Sequence, residues 1–358
     1  MDTLPDPRWQ AALAHSHFLA NLFATHPALV PEVAAAWLEP LSEAALRAGL
    51  EPPAGDDEAL KRQLRRLRQR AMAHIALRDL CGLAPLAEVV ESMTLLADVT
   101  TNVALDHHHR QLAATYGEPL DKAGQPQRLM VIGMGKLGGR ELNVSSDVDY
   151  IFVYPEDGDT AGPKRIENYD FFTRLGKRLI AALGEITADG QVFRVDMRLR
   201  PNGDSGPLVC SFDMLENYFI TQGREWERYA WIKARPLCGA RGADLATLAR
   251  PFIFRKYLDY GAINAMRELH AQIRREVARK DMADNIKLGP GGIREIEFIA
   301  QVFQLIRGGR DKALQIRPTL QVLRLLAGRG ILVEAAVREL DAAYRFLRNL
   351  EHRLQYLD

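Results

Sequence analysis

The spacing of apolar and polar positions divides the chain into a helical beginning, a mixed middle and a helical end. In residues 1–118, apolar side chains recur at helical intervals in a sequence rich in Ala, Leu, Arg and Glu. Residues 119–240 instead contain short apolar runs between loops rich in glycine and proline, and helical spacing returns in residues 241–358. We therefore predict a mostly helical α+β protein, in which a small mixed sheet lies between N-terminal helices and a C-terminal helical bundle.

The middle region contains the candidate strands. Short β-rich runs occur at residues 128–134, 147–154 and 191–199, and residues 170–183 have a helical pattern between the last two runs. This order of elements predicts a compact α/β or α+β unit.

The C-terminal region begins a new helix at Ile293, after a Gly-Pro-Gly-Gly turn at residues 289–292. One face of this helix is polar and either lines a cleft or forms a structural network. The residues of that face are Arg294, Glu297, Gln301 and Gln304. The final helical pattern, residues 334–357, stops at the end of the sequence, which is typical of a fragment boundary, so we expect this region to be truncated.

Two polar clusters occur in the N-terminal helices. Residues 61–70 form a basic helix face, which we expect to be solvated, although such a face can also bind phosphate. Three consecutive histidines, His107, His108 and His109, are also expected on a solvated helix surface. Consecutive helix positions do not share a face, which argues against a metal site at this run.

Composition narrows the class of protein. Of the 358 residues, 47% are hydrophobic and 26% are charged, as in ordinary globular proteins. The formal net charge of +1 gives no general attraction to nucleic acid or to anionic membranes. Cys81, Cys210 and Cys238 form no CxxC motif, which favours a reducing cytoplasm. The sequence has neither a signal-like N-terminus nor an apolar run of membrane-spanning length.

A glycine-rich loop follows the first candidate strand. Residues 133–139 read Gly-Met-Gly-Lys-Leu-Gly-Gly, which matches the GxGxxG spacing of dinucleotide-binding loops. Only seven residues separate Gly139 from Asp147, too few for the long helix of a Rossmann unit. Lys136 is not followed by Ser or Thr, so the loop is not a P-loop. Its glycines can nevertheless let backbone N–H groups approach a phosphate closely.

Acidic residues follow this loop. Asp147 and Asp149 lie one residue apart at a strand entrance, so their side chains share one face. Neighbouring carboxylates repel each other, and Mg²⁺ typically binds carboxylates together with phosphate oxygens. An alternating segment farther on places Asp196, Arg198 and Arg200 on one face, where arginines can hold phosphate oxygens. Although the acids could simply be exposed, the whole set predicts metal-dependent phosphoryl or nucleotidyl transfer.

Four longer motifs carry a resemblance to a known family. They are similar to segments of the bifunctional glutamine synthetase adenylyltransferase/adenylyl-removing enzymes, which belong to the DNA polymerase β-like nucleotidyltransferase superfamily. The resemblance implies a polymerase β-like core and extends essentially from residue 60 to residue 358. The motifs occupy residues 135–149, 194–201, 222–236 and 284–298.

Enzymes of this family contain two related nucleotidyltransferase halves. The loop begins about 130 residues from the initiator Met, and Ser145, Ser146 and residues 223–229 resemble the N-terminal, adenylyl-removing half. The resemblance implies that phosphate attacks the α-phosphorus of AMP on a tyrosine of adenylylated glutamine synthetase, which releases ADP and regulates nitrogen assimilation. It implies glutamine synthetase, PII signal protein, phosphate and ADP or ATP as partners, without nucleic acid or membrane.

The resemblance also gives roles to the candidate residues. Asp147, Asp149 and Asp196 are the expected catalytic residues and the expected ligands of one or two Mg²⁺ ions. Asp196 is the better-placed base for the reverse reaction, in which a tyrosine hydroxyl attacks ATP. The expected nucleotide- or phosphate-binding residues are Gly135, Lys136, Gly138, Gly139, Ser145, Ser146, Arg198, Arg200 and Lys233.

Three other functions are left open. The same residues could adenylylate glutamine synthetase with ATP. A nucleic-acid nucleotidyltransferase would explain the basic face of residues 61–70, but the near-neutral net charge argues against it. A regulatory module that binds nucleotide or PII protein without catalysis would not need the acids for chemistry.

Overall fold

The computed structural model describes residues 5–51, 55–255 and 285–357, together with residues 268, 271 and 275. Within these residues the protein is mostly helical and contains one small mixed sheet, which confirms the predicted α+β class. In the described part of the chain, no helix has both the length and the apolar composition needed to cross a bilayer.

In its described residues the N-terminal region contains six helices, which agrees with the helical character predicted from its apolar spacing. Two of them are long and form a pair on which the shorter helices pack. Asp56 is the N-cap of the first long helix, and its carboxylate accepts a hydrogen bond from the backbone N–H of Ala59 at 2.7 Å. The six helices are α1 (Arg8–Ala14), α2 (His17–Thr25), α3 (Leu29–Ala34), α4 (Glu43–Ala48), α5 (Asp57–Leu80) and α6 (Leu86–Tyr116).

The sheet has five short strands, and both parallel and antiparallel pairs occur in it. The strands are β1 (Met130–Gly133), β2 (Val148–Tyr154), β3 (Val195–Asp196), β4 (Val209–Ser211) and β5 (Arg235–Pro236). Strand β1 lies between β2 and β5 and is antiparallel to both. Strands β3 and β4 are both parallel to β2: β3 pairs with its beginning and β4 with its end.

The remaining helices surround the sheet or form the C-terminal region. A one-turn helix follows β1 directly and contains part of the glycine-rich loop. The predicted helices at residues 170–183, at Ile293 and at residues 334–357 are confirmed. The helices are α7 (Gly135–Gly138), α8 (Asn168–Gly184), α9 (Phe212–Thr221), α10 (Glu225–Trp231), α11 (Gly242–Ile253), α12 (Ile293–Arg307), α13 (Thr319–Gly328) and α14 (Glu334–Gln355).

Alternate side chains of β2 enter different hydrophobic cores. Tyr150 and Phe152 pack with helices α5, α6 and α8, whereas Ile151 and Val153 pack with helices α9 to α11. All four side chains are fully buried, as expected for a strand covered on both faces. A third core lies among α12, α13 and α14. The first core joins N-terminal helices to the sheet. The predicted domain boundaries at residues 118 and 240 stay predictions.

The expectation of a fully solvated basic face on α5 is wrong for Arg65. This side chain is completely buried and links α5 to the end of α8. Its guanidinium donates hydrogen bonds to the carbonyls of Gly190 at 2.8 Å and Ala182 at 3.0 Å, and also to that of Glu185. Because the last carbonyls of a helix have no partner within it, Arg65 satisfies backbone groups that would otherwise lack a hydrogen bond.

The expectation of a solvated histidine run is also wrong. His107, His108 and His109 are 6%, 3% and 1% exposed. Helix α6 is covered by α5 on one side and by α8 on another, so consecutive positions can all be buried. His109 bonds Glu118 through its Nε2 at 2.8 Å, whereas His107 bonds Asp57.

Candidate active site

The three predicted acids come together at one end of the sheet. Asp149 is the second residue of β2, and Asp147 precedes that strand directly. Asp196 ends β3 and lies opposite Asp149 in the parallel register of the two strands. The pairing of β2 with β3 therefore brings the carboxylates of Asp149 and Asp196 to adjacent positions, with Asp147 at the entrance of the strand.

Asp149 is the acid whose charge is least compensated. Burial, followed by the negative charges of Asp196 and Asp147, raises the pKa of its carboxyl to about 6. No described residue gives this carboxylate a hydrogen bond or an ion pair, whereas Asp147 is bound by Arg194 and Asp196 by Arg198. The bond from Arg198 lowers the pKa of Asp196 despite its partial burial. A half-buried carboxylate without a partner, next to two others, is a suitable place for a divalent cation.

Gly135 brings the glycine-rich loop against this acid. Its φ of +52° lies in the left-handed region, where an L side chain is strained. A Cβ atom at this position would lie 3.1 Å from Oδ2 of Asp149. The backbone N–H of Met134 donates to the Asp149 carbonyl at 2.9 Å, which fixes the start of α7 beside the strand. The loop therefore leaves open space at the carboxylate.

Gly138 and Gly139 have a packing role in the structure. A Cβ atom at Gly138 would lie 1.9 Å from the carbonyl oxygen of Lys233, and one at Gly139 would lie 3.0 Å from Oε2 of Glu141. Only glycine therefore allows α7 to approach the backbone next to β5. Phosphate binding by these two residues stays a prediction.

The two candidate lysines are both bonded to acids of the protein. Lys136 donates from Nζ to the two carboxylate oxygens of Glu351 in α14, at 3.0 and 3.1 Å. Burial lowers the pKa of Lys136 to about 8, although the charge of Glu351 opposes this shift. Lys233 donates to Glu141 at 2.9 Å and to the hydroxyl of Thr319 at 3.0 Å. Their predicted contact with phosphate would have to replace or extend these bonds.

The serines and arginines occupy different surroundings. Ser145 and Ser146 lie in the turn before Asp147, where Ser145 is exposed and Ser146 is half-buried. The side chain of Arg198 is 74% exposed and bends back onto Asp196, with its Nε 2.9 Å from Oδ2. Arg198 is thus placed at the rim of the acid cluster, with most of its guanidinium available to solvent.

The prediction that Arg200 continues an alternating strand is wrong. Strand β3 ends at Asp196, and a turn follows. The Arg200 guanidinium donates to the carbonyl oxygens of Met197 at 2.9 Å and Asp204 at 3.1 Å. In this structure Arg200 stabilises the turn, and its predicted binding of phosphate stays a prediction.

Lys287 is a residue of this site that the sequence interpretation missed. It lies in the Gly-rich turn before α12, is exposed, and has no ion pair within the described residues. Its positive charge lowers the pKa of Asp149 and that of Lys136, so it lies near both. A signal was available, because Lys287 is the only basic residue of the segment 285–292 that precedes the helix.

A buried polar network ties the loop between α7 and β2 to the C-terminal helices. Arg348 of α14 is 1% exposed and donates to the carbonyl of Glu141 at 2.6 Å and to the side chain of Asn143. The Glu141 carboxylate accepts a hydrogen bond from the backbone N–H of Thr319 at 2.7 Å. In these hydrogen bonds the donor and the acceptor lie about 180 to 210 residues apart in the sequence. The predicted polar face of α12 is partly structural, since Gln304 donates to the carbonyls of Leu314 and Ile316 at 2.6 Å.

The arrangement as a whole has the parts that phosphoryl transfer needs. It combines three carboxylates, a glycine turn that leaves space beside one of them, and the cations of Arg198 and Lys287 at the rim. Carboxylates can hold a divalent cation, and the cations can neutralise phosphate oxygens.

Comparisons with known proteins agree with this chemistry. Residues 8–250 match the family model described as glutamate-ammonia ligase adenylyltransferase, and residues 267–358 match one described as GlnD PII-uridylyltransferase. Relatives named bifunctional glutamine synthetase adenylyltransferase/adenylyl-removing enzyme occur in Aromatoleum aromaticum (61% identity over 100% of this chain and 38% of the relative) and Chromobacterium violaceum (60%, 96% and 38%). The relative of the same name in Neisseria meningitidis serogroup B is 53% identical over 99% of this chain and 40% of its own length. The chain thus spans well under half the length of the curated relatives it matches.

Proposed function

The chain belongs to the glutamate-ammonia ligase adenylyltransferase family, and from that membership we propose that it is a nucleotidyltransferase which removes AMP from a tyrosine of adenylylated glutamine synthetase. The proposed reaction is phosphorolysis in the cytoplasm, carried out on a polymerase β-like core. The names of the relatives include an adenylyl-removing activity. The resemblance of the serine pair and of residues 223–229 to the N-terminal half favours that activity over adenylylation.

The observation that carries the proposal is the register of β2 and β3. It sets Asp149 opposite Asp196 and leaves Asp149 half-buried without a partner among the described residues. A structural role would pair such a carboxylate with an arginine or a backbone donor, because an uncompensated buried charge is destabilising. An acid kept in this state is typical of a functional site.

The donor set fits Mg²⁺. Asp147, Asp149 and Asp196 would hold it, since Mg²⁺ prefers carboxylate oxygens and shares them with substrate phosphates. When bound, the ion would neutralise negative charge on the reacting phosphates and on the three carboxylates. At pH 7.5 Asp149 is largely ionised even with a pKa of about 6, so the ligand charge is available.

The protein's own residues would orient two anions toward each other. An oxygen of inorganic phosphate forms a bond to the α-phosphorus of AMP, and the bond from that phosphorus to the tyrosine oxygen breaks. The tyrosine oxygen takes up the proton that the attacking hydrogen phosphate loses, so the products are ADP and an unmodified tyrosine. Arg198 and Lys287 would neutralise the phosphate oxygens at the rim. Gly135 would leave the space that the phosphates need beside Asp149.

The test combines the chain with adenylylated glutamine synthetase, Mg²⁺ and ³²P-labelled phosphate. We expect labelled ADP, because phosphorolysis transfers the labelled phosphate to AMP. Release of unlabelled AMP would mean hydrolysis, and the absence of both products from a folded chain would refute the proposal. Transfer of label from α-³²P ATP to unmodified glutamine synthetase would instead favour adenylylation.

Single substitutions identify the site. Asp147→Asn, Asp149→Asn and Asp196→Asn should each lower the rate by roughly two orders of magnitude or more, as losses of groups that stabilise transition-state charge do. Asp170→Asn is the matched control, because Asp170 is an exposed acid at the start of α8. Unchanged rates in all three variants would favour a non-catalytic regulatory module.

We also propose PII signal protein as a regulatory partner. The support is the match of residues 267–358 to the model described as GlnD PII-uridylyltransferase, together with the resemblance of the chain to a PII-regulated family. Purified PII protein should change the rate of labelled ADP formation. If the rate is the same at every PII concentration, this chain has no functional PII site.

A further inference from the structure

A second group of metal-ligating side chains lies between α5 and α6. Asp57 is the first residue of α5, and His107 and His108 lie near the end of α6. Oδ1 of Asp57 is 3.1 Å from Nε2 of His107 and 3.5 Å from Nδ1 of His108. The three ligand atoms all lie within 4.8 Å of one another. These helices contribute none of the acids of the candidate active site.

The distances agree with the edges of a tetrahedral metal site. Zinc binds histidine nitrogens and carboxylate oxygens at about 2.0 to 2.2 Å, so neighbouring ligand atoms of a tetrahedral site are separated by about 3.4 Å. The two separations from Asp57 lie on either side of this value. The imidazole rings of His107 and His108 are nearly perpendicular, at 88°, with centroids 5.2 Å apart. Nε2 of His107 and Nδ1 of His108 both approach the same carboxylate oxygen, Oδ1 of Asp57.

The two consecutive histidines can contribute to one site because the third ligand, Asp57, comes from another helix. Neighbouring positions on a helix diverge by about 100°, which argues against a shared site on α6 alone. Oδ1 of Asp57 lies close to a ring nitrogen of each histidine, so it lies between their two side chains. The side chain of Asp57 is 43% exposed, so an ion can enter from solvent and keep a water as its fourth ligand.

His108 supplies the independent sign of a missing ligand. It is 3% exposed, and neither ring nitrogen has a hydrogen-bond partner in the described part of the chain. Buried polar atoms are nearly always paired, so this side chain lacks an expected partner.

We propose that Asp57, His107 and His108 form a binding site for a divalent transition metal, best matched by Zn²⁺, which fastens the beginning of α5 to the end of α6. The ligand set contains two nitrogens and one oxygen, and zinc sites with three protein ligands keep one open position. The site has a structural consequence, because bound metal stabilises the folded chain but not the unfolded one.

Two neighbours limit the affinity. The Gln111 amide nitrogen lies 2.9 Å from Nε2 of His107 and must move aside when a metal binds. Arg178 donates to the Gln111 side-chain oxygen at 3.1 Å, and its positive charge acts on both Asp57 and His108. Arg178→Gln should therefore tighten metal binding.

The experiment is a calorimetric titration of the chelator-treated chain with Zn²⁺. Asp149→Asn serves as the background, so that metal at the candidate active site does not contribute. We expect one Zn²⁺ per chain and a rise of the melting temperature on the order of 2 to 4 °C at saturating metal. Co²⁺ should bind without the sulfur charge-transfer absorption that coordination by Cys81, Cys210 or Cys238 would produce.

The controls come from the same histidine run. His108→Asn and Asp57→Asn should each weaken Zn²⁺ binding by at least about tenfold. His109→Asn should keep full binding, because His109 bonds Glu118 and is not part of the group. Asp57 is partly exposed, so its variant stays informative if a histidine variant fails to fold. The proposal is overturned if the chain takes up no Zn²⁺, if Co²⁺ reports thiolate ligands, or if His109→Asn weakens binding as much as His108→Asn.

Discussion

The ion pair between Lys136 and Glu351 gives the most quantitative prediction of the structure. Both side chains are largely buried, at 15% and 10% exposure, and Nζ lies 3.0 Å from the carboxylate. Although burial alone would raise the pKa of Glu351, the charge of Lys136 lowers it. Removing one member of a buried pair usually costs about 3 to 5 kcal/mol, because the other charge is left uncompensated.

Glu351→Gln should cost less than that, because Lys136 can lose its proton. With a pKa of about 8 in the folded chain, the neutral form of Lys136 lies above the charged form at pH 7 by on the order of 1 kcal/mol. This value is the upper limit of the loss in stability, provided that Glu351→Gln does not itself destabilise the folded state in which Lys136 is neutral. At pH 6 the limit rises to about 3 kcal/mol, and at pH 8 and above it approaches zero.

The sign of the pH dependence follows from the lowered pKa of Lys136. The folded state binds the lysine proton less tightly than the unfolded chain, so protonation opposes folding below the unfolded pKa. The wild-type chain should therefore gain stability from this group as the pH rises from about 8 toward the normal lysine pKa of about 10.4. The Glu351→Gln variant should start this gain at lower pH.

Urea unfolding followed by circular dichroism at pH 6, 7, 8 and 9 measures the difference between wild type and Glu351→Gln. Glu339→Gln is the control, since Glu339 is exposed on the same helix and should change stability little at any pH. A loss of 3 kcal/mol or more that is equal at pH 6 and pH 9 would refute the reasoning. It would mean that Lys136 keeps its proton without Glu351.

Three further predictions test other contacts. Gly138→Ala should destabilise the chain by about 2 kcal/mol or more, because its Cβ would lie 1.9 Å from the Lys233 carbonyl oxygen. The control is Gly328→Ala, whose Cβ would meet nothing within 4 Å, and its stability should lie within about 0.5 kcal/mol of wild type. Equal melting temperatures of the two variants would contradict this prediction. Lys287→Met should lower kcat/KM for labelled ADP formation by about 10- to 100-fold, with exposed Lys177→Met as the control, and an unchanged value would remove Lys287 from the site. Arg65→Met should cost about 3 kcal/mol in urea unfolding by leaving buried carbonyls unbonded, and a loss no larger than that of exposed Arg66→Met would contradict the assigned role.

The helices and the acid pair could be predicted from sequence because their signals are local. The period of two in β2 set Asp147 and Asp149 on one face, and the helical period identified α8 and α14. The end of β3 could not be predicted in this way. Strands β3 and β4 both use the same side of β2, so the chain must leave that side after Asp196 to let Val209 pair there. The alternation of residue types up to Arg200 gives no information about the fact that β3 and β4 must share one side of β2.

The partners of the two lysines were equally invisible. Lys136 stands in a glycine loop, where a basic residue typically indicates phosphate, but its carboxylate partner lies 215 residues farther along the chain. The burial of His107 to His109 depends in the same way on the packing of α5 and α8 against α6. Such contacts are set by tertiary structure, and no local pattern of residue types identifies them.

The long-range bonds also connect the candidate active site to distant parts of the chain. The loop that places Gly135 beside Asp149 is held at Lys136 by Glu351 and at Glu141 by Thr319. Both partners belong to the C-terminal helices. A piece containing only residues 119–240 would leave the largely buried Lys136 without its carboxylate partner. In the same piece Glu141 would keep Lys233 but lose the hydrogen bond from the backbone N–H of Thr319. The C-terminal helices therefore contribute to building the site, since the position of the glycine turn at the acids depends on their side chains.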